Sequence, residues 1–188
     1  MEHDACGVGL VASTEGLKSR KVVEYGIDAL KAVWHRGAID ADGKTGDGAG
    51  IHIEIPKDFF EEKIEVTGHK HDNSELCVGM IFLPRNDYSA QEQCKTIVES
   101  ELTKRNFSIY GWRQVPVDPS VLGEKAEQTR PEITQVLFTY DDKKVVNKSL
   151  EQKLYETRRV IEKEALNNQL NNFYICSFSS KSIIYKGM

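Results

Sequence analysis

Hydrophobic and polar positions change period repeatedly along this chain, and each change marks an element. Residues 6–12 (Cys-Gly-Val-Gly-Leu-Val-Ala) form an apolar run that predicts a buried strand, its two glycines admitting a close neighbour. Val23, Ile27, Leu30 and Trp34 then recur at helical spacing. They predict an amphipathic helix over 21–35, with Gly37 ending it in a left-handed turn. Residues 37–50 hold five glycines and four aspartates or threonines, the composition of a loop. Residues 51–55 alternate as a half-buried strand that Pro56 stops. Residues 66–75 are polar and predict a surface turn.

The second half repeats the pattern. Residues 76–83 are an unbroken apolar strand ended by Pro84. Ser89 to Glu92 reads as a capping box, followed by Cys94, Ile97, Val98 and Leu102 on one helical face. Residues 107–117 predict a strand, 119–129 a short helix and 133–140 another strand. Ser149 to Gln152 is a second capping box, opening a helix that turns Leu150, Leu154, Thr157, Ile161 and Ala165 inward. Residues 173–178 and 182–185 read as two strands of a hairpin. Several strands follow one another with no helix between them. That order favours an α+β layered sandwich of mostly antiparallel sheets over a doubly wound parallel sheet.

Composition narrows the setting. The 188 residues, 39% hydrophobic and 29% charged, suit one domain with a sizeable core. A net charge of −4 and the lack of a basic block argue against a nucleic-acid partner. No apolar run approaches the roughly 20 residues of a membrane span, so no membrane is expected. The first five residues are polar and unlike a secretory signal, which predicts a cytoplasmic protein. Cys6, Cys77, Cys94 and Cys176 are far apart and form no CxxC, so no metal site is expected within this chain. Three of them read as small buried hydrophobes.

Cys6 is the candidate nucleophile. An inert buried cysteine is the ordinary reading, but glycines at the next position and two beyond it leave its backbone open. Removal of residues 1–5 would give Cys6 a free α-amine with a pKa of about 7.7–8.0. Such an amine can take the thiol proton and later return it to a leaving group. His35-Arg36-Gly37-Ala38 at the helix end has two readings. It is a C-cap, or Arg36 reaches the active-site region and braces it. The stretch Thr45-Gly46-Asp47-Gly48-Ala49-Gly50 is a tight loop placed near the catalytic strand. It lacks the closing Lys-Ser/Thr of a phosphate cradle. Gly48 and Gly50, with Arg36, are candidates for supporting the site. His69 and His71 share a polar turn without a third ligand nearby. Tyr110, Trp112 and Arg113 are explained by sheet packing.

Taken together, residues 3–9, His35 to Ala38, Ala41-Asp42 and Thr45 to Ile51 closely resemble the start of glutamate synthase large subunits. More broadly the chain resembles a class II glutamine amidotransferase domain of the N-terminal nucleophile hydrolase type, and Ile184 to Met188 fits as well. The resemblance implies a four-layer αββα sandwich, incomplete at its C-terminus, with residues 1–5 as a propeptide and 6–188 as the first part of the domain. It implies that Cys6 hydrolyses glutamine to glutamate and ammonia through a thioester. In the family, the ammonia passes to 2-oxoglutarate in remaining synthase domains. Those domains use FMN and a 3Fe-4S cluster, with electrons from NADPH or ferredoxin through an electron-donating subunit or partner; no cofactor is expected in this chain.

The family clamps glutamine with an Arg-Phe-Ser segment and builds its oxyanion hole from Asn-Gly, and neither dipeptide occurs in these 188 residues. The resemblance therefore implies that this chain alone is nearly inactive. Loss of one oxyanion donor typically costs about 2.7–4 kcal/mol of transition-state stabilisation. Two other readings compete. One is a different class II amidotransferase, although those relatives begin with Cys-Gly directly after Met1. The other is a non-catalytic regulatory domain that never processes Cys6.

Overall fold

The computed structural model describes residues 7–70, 74–140 and 149–187, except the side chain of Arg36. Cys6, residues 1–5, His71 and Met188 lie outside the described residues. The elements, in chain order, begin with α1 (Arg20–Ala32), β1 (Ala49–Glu54), α2 (Lys57–Val66) and β2 (Leu76–Leu83). They continue with α3 (Tyr88–Thr103), β3 (Phe107–Gln114), α4 (Glu124–Thr129), β4 (Glu132–Tyr140), α5 (Leu150–Asn167), β5 (Tyr174–Ser179) and β6 (Ser182–Gly187). Short 310 turns lie at Trp34–Arg36 and Pro119–Val121. The chain divides into two compact units, one within Glu54–Val117 and Pro131–Ile183, the other drawn from the remaining spans.

The larger unit is built on an antiparallel sheet of order β3-β4-β2-β5. Its central strand β2 is apolar throughout and buried on both faces. Cys77 and Ile81 of β2, Val136 and Phe138 of β4, and Ile175 and Phe178 of β5 meet Cys94, Val98 and Leu102 of α3 and Leu154 and Ile161 of α5. Gly79 sits where β4 and β5 crowd β2: a methyl there would come within 2.7 Å of Val136 and Phe178. Phe138 stacks between Phe107 and Phe178, at centroid distances of 5.4 and 4.9 Å. α2 runs beside β3, where the Arg113 guanidinium lies 5.2 Å over the Phe59 ring and also donates to Gln135.

Helix α5 follows its sequence pattern closely. Ser149 caps it by accepting from the Gln152 amide, and Leu154, Thr157, Ile161 and Ala165 are its buried residues. Cys77, Cys94 and Cys176 are buried and in no disulfide. Burial pushes the Cys77 thiol far up and that of Cys94 to about 11, so neither is a ready thiolate.

Four expectations need correction, and one helix was not expected. Residues 7–12 do not form a strand, and Val8 and Leu10 are 91% and 92% exposed. An apolar alternation becomes a strand only where another strand accepts its ladder, and none does so among the described residues. β5 and β6 are not a hairpin: β5 closes the four-stranded sheet, while β6 pairs with β1. The corner between them is held by Glu151, whose carboxylate accepts from the Ser180 amide and from the hydroxyls of Ser179 and Ser180. The cap of α3 is Asp87, which accepts from the Ala90 amide, and Ser89 lies inside the helix. An aspartate two residues upstream reaches the first free amides before the serine can. Gly37 is extended, with φ −84°, and not left-handed; its amide bonds to the Trp34 carbonyl. Finally, α2 has no counterpart in the sequence reading; Phe60 and Ile64, four residues apart, are its buried face. No helix of the described residues is long and apolar enough to cross a membrane.

Candidate active site

Residues 7–13 have no regular structure, and Gly9 faces Ala29 of α1 with room for ordinary contact. α1 starts at Ser19, whose hydroxyl accepts from the Lys21 amide. Its apolar side, with Val23, Ile27 and Leu30, is only half-buried, and Gly26 meets Ile51 of β1. The helix gives way to a 310 turn that ends at Arg36. From there the chain enters the loop on which the sequence places its chemistry.

That loop is a braced pin. Ile39 and Gly46 pair as an isolated antiparallel bridge, and the Asp40 amide donates to the Thr45 carbonyl at 2.8 Å. At the tip, Asp42 Oδ1 accepts from the amides of Lys44 and Thr45 at 2.9 and 2.7 Å, while Oδ2 accepts from the Thr45 hydroxyl at 2.5 Å. At the base, Asp47 Oδ2 accepts from the Ala38 amide at 2.8 Å. Gly43 and Gly48 have φ of 68° and 90°, a backbone region that side chains disfavour, so the pin needs glycine at both turns.

A distant segment closes on the pin. Lys125 of α4 bonds to Asp40 at 2.7 Å. The residue before α4, Gly123, lies so close that a methyl would stand 2.6 Å from the Thr45 nitrogen and closer still to Thr45 Oγ1 and Asp42 Oδ2. These bonds show in the acidities. The Thr45 hydroxyl and the Thr45 and Lys44 amides hold Asp42 down at about 2. The bond from Lys125 lowers Asp40, and the same bond raises Lys125. Hydrogen bonds that favour the charged form cause each shift.

The structure therefore places the sequence candidates unevenly. Gly48 is the left-handed exit from the pin, and Gly50 lies in β1 where a methyl would meet Lys186 and the Tyr185 carbonyl of β6 at 3.0 Å. The backbone of Arg36 closes the 310 turn two residues before the braced Ala38. Cys6, the nucleophile candidate, lies outside the described residues. His69 accepts or donates a bond with the Thr67 hydroxyl at 3.0 Å and edges against Tyr110, in keeping with a structural turn. Among the described residues no three His, Cys, Asp or Glu side chains gather as a metal site. Sequence reasoning gave no role to Asp40, Gly123 and Lys125, and named Asp42 only as part of the resemblance. The Asp42-Gly43-Lys44-Thr45 run carries a local Asx-turn signal, but nothing in the sequence near Gly123 announces its neighbour.

Comparison with known proteins adds a global frame. Residues 6–188 match the family model for class II glutamine amidotransferases. Over its full length the chain is 55% identical to the glutamate synthase (NADPH) large chain of Azospirillum brasilense. It is 37% identical to ferredoxin-dependent glutamate synthase 2 of a Synechocystis strain, and 38% to the ferredoxin-dependent glutamate synthase of Pyropia yezoensis. The chain spans about 12% of the length of each of these relatives.

Proposed function

This chain belongs to the class II glutamine amidotransferase family, and on that premise we propose that Cys6 hydrolyses glutamine to glutamate and ammonia. The observation that carries the reading is the start of the family match, which falls on Cys6 itself. It supports residues 1–5 as a removed leader and Cys6 as the first residue of the working domain. The mixed sheets and helices are consistent with the four-layer αββα arrangement proposed for the complete domain.

The α-amine of processed Cys6 takes the thiol proton, and the sulfur attacks the side-chain carboxamide carbon of glutamine. The protonated amine then gives its proton to the departing nitrogen, releasing ammonia and leaving a γ-glutamyl thioester. Water, deprotonated by the same amine, attacks the thioester, and glutamate leaves with the thiol restored. Arg36, Gly48 and Gly50 serve as support: Gly48 and Gly50 set the exit of the pin into β1, and Arg36 lies two residues before its base.

In a longer protein built like its relatives, the ammonia would meet 2-oxoglutarate in other synthase domains. FMN and a 3Fe-4S cluster would relay electrons there from NADPH or ferredoxin, by way of an electron-donating partner. Cys77, Cys94 and Cys176, buried thiols outside any disulfide, suit a cytoplasmic, reducing setting.

The test is Cys6→Ala in the longest natural chain that carries this domain. Glutamine hydrolysis should fall by about 10³-fold or more while the fold is kept. Intact mass of the active wild-type protein should begin at Cys6. Normal hydrolysis by the alanine variant would remove the proposal, as would an active protein that retains Met1 to Ala5.

A further inference from the structure

We infer that Gly123, Asp42 and Thr45 form a clasp that positions the Arg36–Ala38 segment for work on glutamine, which makes Gly123 a positioning residue of the hydrolytic site. The inference rests on the reading that Cys6 hydrolyses glutamine with this loop in support.

Gly123 is not there for its backbone. Its φ of −75° and ψ of 164° are open to any residue, and no side chain caps α4. What excludes a side chain is space. A methyl would meet the Thr45 nitrogen at 2.6 Å, a main-chain atom that no rotamer change can move aside. Either the tip of the pin or the start of α4 would have to shift.

Such a shift would travel. Thr45 is tied to Asp40 through the main chain, Ile39 is bridged to Gly46, and Asp47 grips the Ala38 amide. The Gly37 amide in turn bonds to Trp34. The links are continuous from Gly123 to the residues that flank Arg36. The bonds involved are mostly exposed, and exposed polar pairs add little to stability. Their product is a fixed geometry, and geometry is what a reacting site needs: a misplacement of about 1 Å can cost 10²-fold.

Gly123→Ala, Thr45→Val and Thr45→Ser would be made in the longest natural chain that carries this domain. Glutamine hydrolysis would be expressed per Cys6 thiol titrated with an electrophilic glutamine analogue. Gly123→Ala and Thr45→Val should raise KM for glutamine about tenfold per active thiol. Thr45→Ser keeps the hydroxyl and should recover most of that loss. Should Gly123→Ala fail to fold, Thr45→Val against Thr45→Ser decides alone. A clasp that only adds stability would lower the number of active thiols and leave KM and kcat per thiol at wild-type values, and that result overturns the inference. Cys6→Ala separates the two claims. If it is inactive while the clasp variants keep wild-type KM, the clasp alone is wrong; if it hydrolyses glutamine normally, the reading beneath it is wrong.

Discussion

The two units hold themselves together by different means. In the larger one, Phe138, Leu154, Ile161 and Ile81 are wholly buried, and α3 and α5 close over one sheet. In the smaller one, α1 has no buried residue, and the pin is fixed by short bonds that aspartate oxygens accept at the surface. Burial of apolar area contributes free energy in proportion to the area, with little regard to direction. Hydrogen bonds exchanged with water contribute little net energy but demand particular distances and angles. The comparison thus separates a region built for stability from one built for position. Under the proposed function, the chemistry falls on the second.

Substitutions should break that separation if it is false. The largest effect on stability is expected at Phe138, which is fully buried between two aromatic rings. Phe138→Ala should cost about 3–5 kcal/mol in a denaturant titration of this domain. It should leave KM for glutamine near wild type in the fraction that remains folded. A cost below about 1 kcal/mol would mean that the sheet is not the stabilising centre. Gly79→Ala should come next, at about 1–3 kcal/mol, because its methyl must displace Val136 and Phe178. An unchanged midpoint would show that β2 has slack that the close contacts deny.

The smallest effect sharpens the other side. Asp42 is held near 2, below its ordinary 3.8, so its bonds contribute fully above the ordinary carboxylate range and are lost as pH falls through about 2. At pH 3 a free aspartate is about nine-tenths protonated. Asp42 should still be ionised at that pH. Carboxyl-carbon NMR titration reads this directly, and a midpoint near 3.8 would show that the tip of the pin is not made in solution.

Much of the larger unit could be read directly along the chain. The bounds of β2 and the inward face of α5 coincide with their apolar patterns, because each pattern reports burial against neighbours that the period itself specifies. Helix α2 escaped because two adjacent phenylalanines and one isoleucine make a weak period in ten residues. The Cys6 motif and the glycine-rich loop were recognisable as a family signature, and the family match begins at that cysteine.

What the sequence determined by itself was local. It set periods, caps such as Ser149, the glycines of the pin, and the cysteine at which the family match begins. Tertiary structure alone decided that β6 leaves β5 to pair with β1, and that Gly123 and Lys125 close on a loop about eighty residues before them. Contacts between distant segments depend on where whole elements pack, and no spacing along the chain records which surface two such elements will share.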